Sequence, residues 1–464
     1  MSPTCANTAP SVKRARRPDS NVTRLGVTRV GSSSREAACA ATAPGNFAAE
    51  DRARVPAVAR AVVAVAVAAA ARANDARGDV TAHASTNARA NRRRVVIARV
   101  RLASVRARAR IQSINRTVMS PPSRARLRTR VTDLIPGLEH PVLQGGMHHV
   151  SRAELVAAVS NAGALGTLTA LTQPSPEALR REIERVRGMI TRKTRDGRPA
   201  PFAVNFTLLP ALKPPDYESY ARVVCECAPA AVETAGANPG KFIDMFKRAG
   251  IVVIHKCTTL RHAQAAERLG ADAVSIDGFE CAGHPGTNDV GGLVLLAKAR
   301  TTLRVPYLAC GGVGTGRQLA AALALGADGV CMGTRFMATR EAPILPGIKD
   351  ALVAADENRT TLVMTTVKNH ERVYKNSVAE EVRAIESEKP GDFSAIHHLV
   401  RGENYRVSFQ ETGDPESSVW SAGCVMGLID DVPTCDELVR RIVDEALDVI
   451  TDRLSRVVAH DGRL

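Results

Sequence analysis

The chain has 464 residues, of which only 3% are aromatic, and it carries a formal net charge of +16. This length allows one large α/β barrel or two to three smaller domains. The longest uncharged apolar run, residues 61–71, has about half of the roughly 20 residues that span a bilayer, so a membrane-embedded body is excluded. The ten cysteines show no spacing typical of a zinc site, so we expect no metal and interpret the thiols as buried groups in a reducing compartment.

The basic excess lies at the N-terminal end of the chain. Residues 1–130 contain 26 Lys and Arg against 6 Asp and Glu, whereas the rest of the chain contains 37 against 41. Residues 1–120 are rich in Arg, Ala and Ser and have no sustained apolar period, which predicts a disordered extension. Three roles are open for it: an extension without function, a mitochondrial or plastid transit peptide, or a nucleic-acid-binding arm. For the remainder we expect a cytoplasmic location, with neither a membrane nor nucleic acid as a partner.

From residue 139 onwards, short apolar runs alternate with amphipathic helical segments. Eight runs are predicted as strands: 140–147, 164–170, 202–209, 230–236, 250–257, 271–278, 305–312 and 328–336. Helices are predicted between several of them, at 151–163, 175–190, 239–250, 259–270 and 316–326. Eight βα units of similar length favour a closed (β/α)₈ TIM barrel over residues 131–340, with an open doubly wound sheet as the alternative.

A more polar helical pattern follows the barrel. Residues 341–464 are predicted to form an appended lid subdomain, with residues 341–415 over the mouth of the barrel. Its helical pattern includes the segment "HERVYKN" at 370–376. Residues 434–454 are strongly amphipathic and start at Thr434, a suitable N-cap, so this last helix is predicted to pack back on the barrel.

Two glycine-rich turns follow the last two predicted strands, where barrels of this class bind phosphate groups. Gly311 and Gly312 end strand seven, and Gly333 and Thr334 end strand eight. Glycine allows bare backbone amides to approach an anion, and the next helix adds the positive end of its dipole. These turns predict a ligand that carries a phosphate, and a mononucleotide suits the barrel better than a dinucleotide.

Strands one and three end in residues suited to a flat ring. Gly145, Gly146 and Met147 would let a ring system lie against the main chain, although a simple β-to-α turn is the alternative. Asn205 ends strand three with an amide that can both donate and accept. The polar groups His148, His149, His255 and Lys256 also lie near strand ends and are interpreted as pocket lining or structure.

The segment "DGFECAGHPG", residues 277–286, surrounds one histidine with glycines after strand six. Asp277 closes the strand, and Gly283 precedes His284 in the loop. Imidazole titrates near neutral pH, so His284 at the mouth of a cofactor pocket is the candidate acid and base. The alternative is a loop histidine that only bonds a carbonyl group.

The chain resembles the FMN-dependent nitronate monooxygenases, formerly called 2-nitropropane dioxygenases, over residues 133–455. The resemblance rests on segments in the family's order, including "HPVLQGGM", "FAVNF", "GIVVIHK", "DGFECAGHPG" and "ACGGVGTGRQLAAALALGADGVCMGTRF". It implies a flavin barrel that oxidises alkyl nitronates, such as propionate 3-nitronate, with O₂ to a carbonyl compound plus nitrite or nitrate. By position it implies His284 as the active-site histidine and FMN contacts from Gly145, Gly146, Met147, Asn205, Asp277, Gly283, Gly311, Gly312, Gly333 and Thr334.

Two departures leave alternatives open. Many members of the family have Gln where this chain has Asp277, and often Gln where it has Cys424. The same glycine and histidine loops also resemble the flavin-type enoyl-acyl-carrier-protein reductases, which use NAD(P)H. A third alternative is a flavin- or phosphate-binding barrel without catalysis, whose basic arm recruits nucleic acid. The expected partners are the nitronate and O₂, and a homodimer is compatible with these observations.

Overall fold

The computed structural model describes residues 125–208 and 214–458. The extension predicted to be disordered, residues 1–120, lies outside the described residues. Within the described part, no helix is both long enough and apolar enough to cross a bilayer.

Eight parallel strands form the centre of the molecule. In chain order they are β1 (Val142–Gln144), β2 (Gly166–Thr169), β3 (Phe202–Leu208), β4 (Ala231–Gly236), β5 (Val252–Cys257), β6 (Ala273–Asp277), β7 (Tyr307–Cys310) and β8 (Val330–Met332). From β2 to β8 each strand pairs with the next, and β8 pairs with β1. A parallel bridge between Leu143 and Leu165 joins β1 to the start of β2 and closes the ring. The predicted (β/α)₈ barrel is therefore confirmed, and the open sheet is excluded.

Helices alternate with these strands and surround the barrel. They are α1 (Arg130–Leu134), α2 (Ala153–Asn161), α3 (Pro176–Met189), α4 (Tyr217–Cys227), α5 (Gly240–Arg248), α6 (Leu260–Arg268), α7 (Gly292–Thr302), α8 (Gly316–Ala324) and α9 (Thr334–Met337). The hydroxyls of Ser175, Thr259 and Thr315 accept hydrogen bonds from the first turns of α3, α6 and α8. All five predicted helices are present, whereas α1, α4, α7 and α9 were not predicted. The eighth strand was predicted too long, at 328–336, because α9 begins directly after Gly333.

The strands bury both faces, as parallel strands in a barrel do. Their outward side chains, such as Val204 and Val253, pack in one large cluster with the surrounding helices. Their inward side chains are mostly small, for example Ala203 and Ala273, and they form a second cluster that includes Val131 of α1. Small inward residues let α1 close the amino end of the barrel, so the chain fills this core with few aromatic side chains.

The remaining elements form the lid and the C-terminal helix. They are α10 (Pro346–Ala354), β9 (Thr360–Val363), β10 (Glu371–Tyr374), α11 (Ser377–Glu388), α12 (Phe393–Val400), α13 (Glu403–Arg406) and α14 (Cys435–Asp448). Five short 3₁₀ or π turns complete the described elements: Ala170–Thr172, Val407–Thr412, Cys424–Leu428, Val449–Arg453 and Ser455–Val457.

One part of the lid differs from its helical prediction. The segment at 370–376 was predicted as helical, but Glu371–Tyr374 is a strand, paired antiparallel with Thr360–Val363. The reason is burial of one face of the hairpin: Val363 and Val373 are both fully buried in a small apolar cluster with residues of α11 and α12.

The C-terminal helix has the predicted start and packing. Thr434 and Glu437 form a capping box, in which each side chain accepts from the backbone amide of the other. A Cβ atom placed on Gly316 would lie 2.3 Å from the carbonyl oxygen of Ile442, so α8 and α14 are in backbone contact. The helix returns to the barrel beside the loop that follows β7.

Candidate active site

A cavity of about 740 Å³ lies at the carboxyl ends of the barrel strands, beneath the lid. Every residue that the sequence predicted for the site lines it: Gly145, Gly146, Met147, Asn205, Asp277, Gly283, His284, Gly311, Gly312, Gly333 and Thr334. Of the four further polar groups, His148, His255 and Lys256 line it as well. With Ala235 and Gly236 of β4, the cavity is lined by residues from seven of the eight strand ends.

Lys256 of β5 lines the floor of this cavity, and Glu233 of β4, which is not itself a lining residue, holds the floor together. Glu233 is buried, and its Oε1 lies 3.2 Å from Lys256 Nζ. Its Oε2 accepts hydrogen bonds from the backbone amide of Gly146 at 3.0 Å and from Asn205 Nδ2 at 2.8 Å. One carboxylate therefore links the ends of β1, β3, β4 and β5.

The charges of the floor are coupled. Burial opposes the charge of Lys256, but the nearby carboxylates, Glu233 before Asp277, raise the pKa of the ammonium well above its usual value. Burial also raises the pKa of Asp277, against the opposite effect of Lys256. Lys256 is therefore a fixed cation under any group that enters the cavity.

The alternation of inward and outward side chains along β4 and β5 could have indicated the floor residues from the sequence. Residues at every second position of a strand share one face, so Ala231 and Glu233 point inward on β4, and Ile254 and Lys256 point inward on β5. Glu233 was not predicted because it stands inside a short apolar run, and Lys256 was interpreted as pocket lining only.

Asn205 is engaged within the protein at both ends of its amide. Its Nδ2 donates to Glu233, and its Oδ1 accepts from Thr207 Oγ1 at 2.9 Å. A Cβ atom on Gly146 would lie 2.4 Å from the Asn205 side chain. The glycine at 146 is thus required by Asn205 itself, and together they leave a flat backbone wall for a ring.

The turns after β7 and β8 form an anion cradle. Gly311 and Gly312 have φ of +84° and +70°, and Cβ atoms there would lie 2.6 Å from Cys281 and Glu280. Among the described residues, the backbone amides of Gly312, Gly333 and Thr334 have no hydrogen-bond acceptor. Unpaired amides beside positive-φ glycines are the donor set that a phosphate group needs.

His284 has a defined tautomer. Its Nδ1 lies 3.1 Å from the carbonyl oxygen of His370. A carbonyl can only accept, so Nδ1 carries the proton and Nε2 of the neutral ring has a free lone pair. Within the described part of the chain, Nε2 has no protein partner. The loop alternative proposed from the sequence, a histidine bonded to a carbonyl, is therefore compatible with an acid and base role.

The lid holds this loop in place. Gly283, which has φ of +71°, exchanges two backbone hydrogen bonds with Arg372 of β10, at 3.1 Å and 2.6 Å. Next to it, buried Glu371 accepts from the hydroxyls of Tyr405 and Ser421, which both line the cavity. Glu371 and Arg372 were not predicted because their segment was interpreted as helical, and no sequence signal singled out Tyr405 or Ser421.

A comparison with known proteins identifies the family. The family model described as "Nitronate monooxygenase" matches residues 128–221 and 200–445. The chain belongs to this family. It is therefore a member of a flavin-dependent family of oxidoreductases built on a TIM barrel, as its sequence resemblance predicted.

Individual relatives carry different names. A Rhodococcus jostii protein, "(3aS,4S,5R,7aS)-5-hydroxy-7a-methyl-1-oxo-octahydro-1H-indene-4-carboxyl-CoA dehydrogenase", is 31% identical over 69% of this chain and 96% of its own. A "Probable nitronate monooxygenase" of Staphylococcus aureus is 26% identical over 63% of this chain and 91% of its own. The solved structure of FabK from Thermotoga maritima is 33% identical, with a TM-score of 0.63, and covers 71% of this chain and 99% of that one. Similarity therefore identifies the family but not the substrate.

Proposed function

We propose that the protein binds FMN and oxidises alkyl nitronates with O₂ to a carbonyl compound plus nitrite or nitrate. The observation that carries this proposal is His284, whose Nε2 lone pair is unpaired in a cavity that also has a phosphate cradle. Support also comes from the relative named a probable nitronate monooxygenase.

The described residues fit FMN. Gly311, Gly312, Gly333 and Thr334 would hold the phosphate with backbone amides, and the Thr334 hydroxyl, which accepts from Gly423 at 3.1 Å, can still donate its own proton. Gly146 and Met147 would support the ring, and Lys256 would face the ring from the floor. When bound, the flavin supplies a two-electron acceptor that reacts with O₂.

His284 would remove a proton from a neutral substrate and pair with the charge of an anionic one. In its neutral form, Nε2 can take the α-proton of a nitroalkane and produce the nitronate. In its charged form, the imidazolium can pair with the nitronate anion. Because His370 holds Nδ1, both forms keep Nε2 toward the cavity.

A second candidate is oxidoreduction of an acyl thioester, including NAD(P)H-dependent enoyl reduction. It is favoured by one observation: the relative named a carboxyl-CoA dehydrogenase is 31% identical, against 26% for the probable nitronate monooxygenase. Both candidates use the same cofactor cavity, so an assay must decide between them.

The deciding experiment follows O₂ uptake by the purified, flavin-loaded protein with propionate 3-nitronate. We expect uptake that needs the nitronate and no NADH or NADPH. If NADH instead bleaches the flavin rapidly and the nitronate is not consumed, the second candidate replaces the first.

The substitution His284→Asn tests the role of the imidazole. We expect a protein that still binds flavin but turns over neutral nitroalkanes about 100-fold or more slowly, since general base catalysis contributes about 10²- to 10⁴-fold. Preformed nitronates should be less affected, because they need no deprotonation. Rates like those of the wild type across the pH range would remove His284 from catalysis, and loss of flavin would make it structural.

The partners in this proposal are the nitronate and O₂. A homodimer, a cytoplasmic or organelle location, and the domain limits at residues 120, 131 and 341 stay predictions.

A further inference from the structure

Three charged side chains, histidines apart, are among the described residues that line the cavity: Lys256, Asp277 and Lys368. The first two belong to the floor and interact with Glu233 and with each other. Lys368 comes from the lid, in the turn that joins β9 to β10. It is exposed and forms no ion pair with any described residue. The mouth of the cavity therefore carries an unpaired positive charge.

The turn that carries Lys368 is tightly built. Buried Glu386 of α11 accepts hydrogen bonds from the amides of Met364 and Thr366, at 2.9 Å and 3.0 Å. The amide of Lys368 donates to the carbonyl oxygen of Thr365 at 3.2 Å. The position of this residue is therefore set by the fold, although its side chain reaches open solvent.

Lys368 also adopts an unusual backbone conformation. Its φ is +57°, in the left-handed region that residues other than glycine, asparagine and aspartate seldom adopt. Such a conformation costs about 1 kcal/mol or more and persists where the surrounding structure holds it. The turn thus holds a lysine at a place where an uncharged asparagine would fit with less strain.

The same turn is coupled to the active-site histidine. His370, two residues after Lys368, provides the carbonyl oxygen that holds His284 Nδ1. The turn between β9 and β10 therefore carries Lys368 and also holds the ring of His284. Both side chains line the same cavity, so a substrate that reacts at His284 shares the cavity with the ammonium group of Lys368.

We propose that Lys368 selects substrates that carry an anionic group away from the reacting carbon. This inference rests on the proposed function, because that function makes His284 the reacting end of the site. Two sources can supply the anion: the carboxylate of a small carboxylated nitronate, or a phosphate of a coenzyme A thioester. An ammonium group on a flexible stem can pair with either.

The experiment compares matched anionic and neutral ligands on the flavin-loaded protein. The first pair is propionate 3-nitronate and the nitronate of 1-nitrobutane, compared by kcat/KM for O₂ uptake. The second pair is butyryl-coenzyme A and butyryl-pantetheine, compared by Kd from the change in flavin absorbance. The wild type should prefer the anionic member of at least one pair, and that pair identifies the source of the anion.

Three variants assign the preference to Lys368. Lys368→Asn keeps a residue suited to positive φ and removes the charge, so the preference should fall about fivefold, as expected for a solvent-exposed ion pair. Lys368→Arg should restore it, and added salt should weaken it in the wild type. Lys375→Asn is the matched control, because Lys375 is an exposed lysine just after β10 that does not line the cavity.

The outcomes separate this inference from the proposed function. If no nitronate is turned over but the thioester pair shows a preference that depends on Lys368, the proposed function fails and the role of Lys368 stands. The role of Lys368 is refuted if the wild type prefers neither anion, if Lys368→Asn affects both members of a pair equally, or if Lys375→Asn has the same effect.

Discussion

At the scale of single residues, Glu233 organises the floor of the cavity. It compensates the charge of Lys256 and also fixes Asn205 and the backbone of Gly146. The Cys331 thiol also donates to it, at 3.7 Å, so this buried carboxylate has four donors and is well satisfied, but each donor depends on it. Without the charge of Glu233, the ammonium group of Lys256 would have only the carboxyl group of Asp277 beside it in the floor.

We therefore expect Glu233→Gln to lower the free energy of unfolding by about 2 kcal/mol. Breaking a buried ion pair costs about 3–5 kcal/mol, and the value here is smaller because Lys256 borders the cavity and its water. The measurement is urea unfolding of the flavin-free protein. Glu226→Gln is the control, because Glu226 pairs with Arg180 on the surface, where such pairs contribute roughly 0–1 kcal/mol. Equal effects of both substitutions would contradict the role of Glu233.

At the scale of elements, strand β10 connects the lid to the loop that carries His284. The backbone of Arg372 pairs with Gly283, and its guanidinium donates twice to the carbonyl oxygen of Phe279, at 3.0 Å and 3.1 Å. The same group donates to Thr360 of β9 at 3.0 Å. Arg372 therefore ties the hairpin to the loop after β6 at two points, at Phe279 through its side chain and at Gly283 through its backbone.

Replacing this side chain should loosen the loop without removing the lid. In Arg372→Ala we expect amide hydrogen exchange in residues 279–286 to become about tenfold faster, since charged hydrogen bonds contribute about 1.5–3 kcal/mol each. Flavin affinity should change little, because the phosphate cradle lies on β7 and β8. The control is Arg383→Ala, which removes an exposed pair with Glu380 on α11. Unchanged exchange in Arg372→Ala would show that the backbone pairing alone holds the loop.

The barrel elements could be predicted from the sequence because their signals are local. Apolar runs, N-capping residues such as Thr434 and positive-φ glycines such as Gly311 each act over a few residues. The lid hairpin and the Glu233 network depend on pairing between distant segments, which a single sequence does not show. That the glycines and the histidine line one cavity was therefore predictable, whereas the groups that hold them in place were not.

At the scale of the whole molecule, the C-terminal helix supports the cofactor cradle. Glu445 of α14 accepts from the backbone amide of Gly316 at 2.7 Å, so the far end of the chain satisfies the start of α8. Gln318 in the first turn of α8 then donates to the carbonyl oxygen of Gly312 at 2.6 Å. The contact between α8 and α14 therefore helps to fix the glycine turn after β7, because α8 is hydrogen-bonded to α14 and to that turn.

Substitution of the glycine at this contact tests that connection. In Gly316→Ala the new Cβ would lie 2.3 Å from the Ile442 carbonyl oxygen, so α14 or the turn before α8 must move. We expect the free energy of unfolding to fall by about 2 kcal/mol, as for other overpacked sites, and FMN binding to weaken about tenfold. Thermal unfolding and flavin fluorescence titration measure the two effects. Gly188→Ala is the control, because its Cβ meets nothing within 4 Å in α3, where alanine should stabilise the helix by up to about 1 kcal/mol. If Gly316→Ala loses stability but binds FMN normally, α14 stabilises the barrel without positioning the cradle.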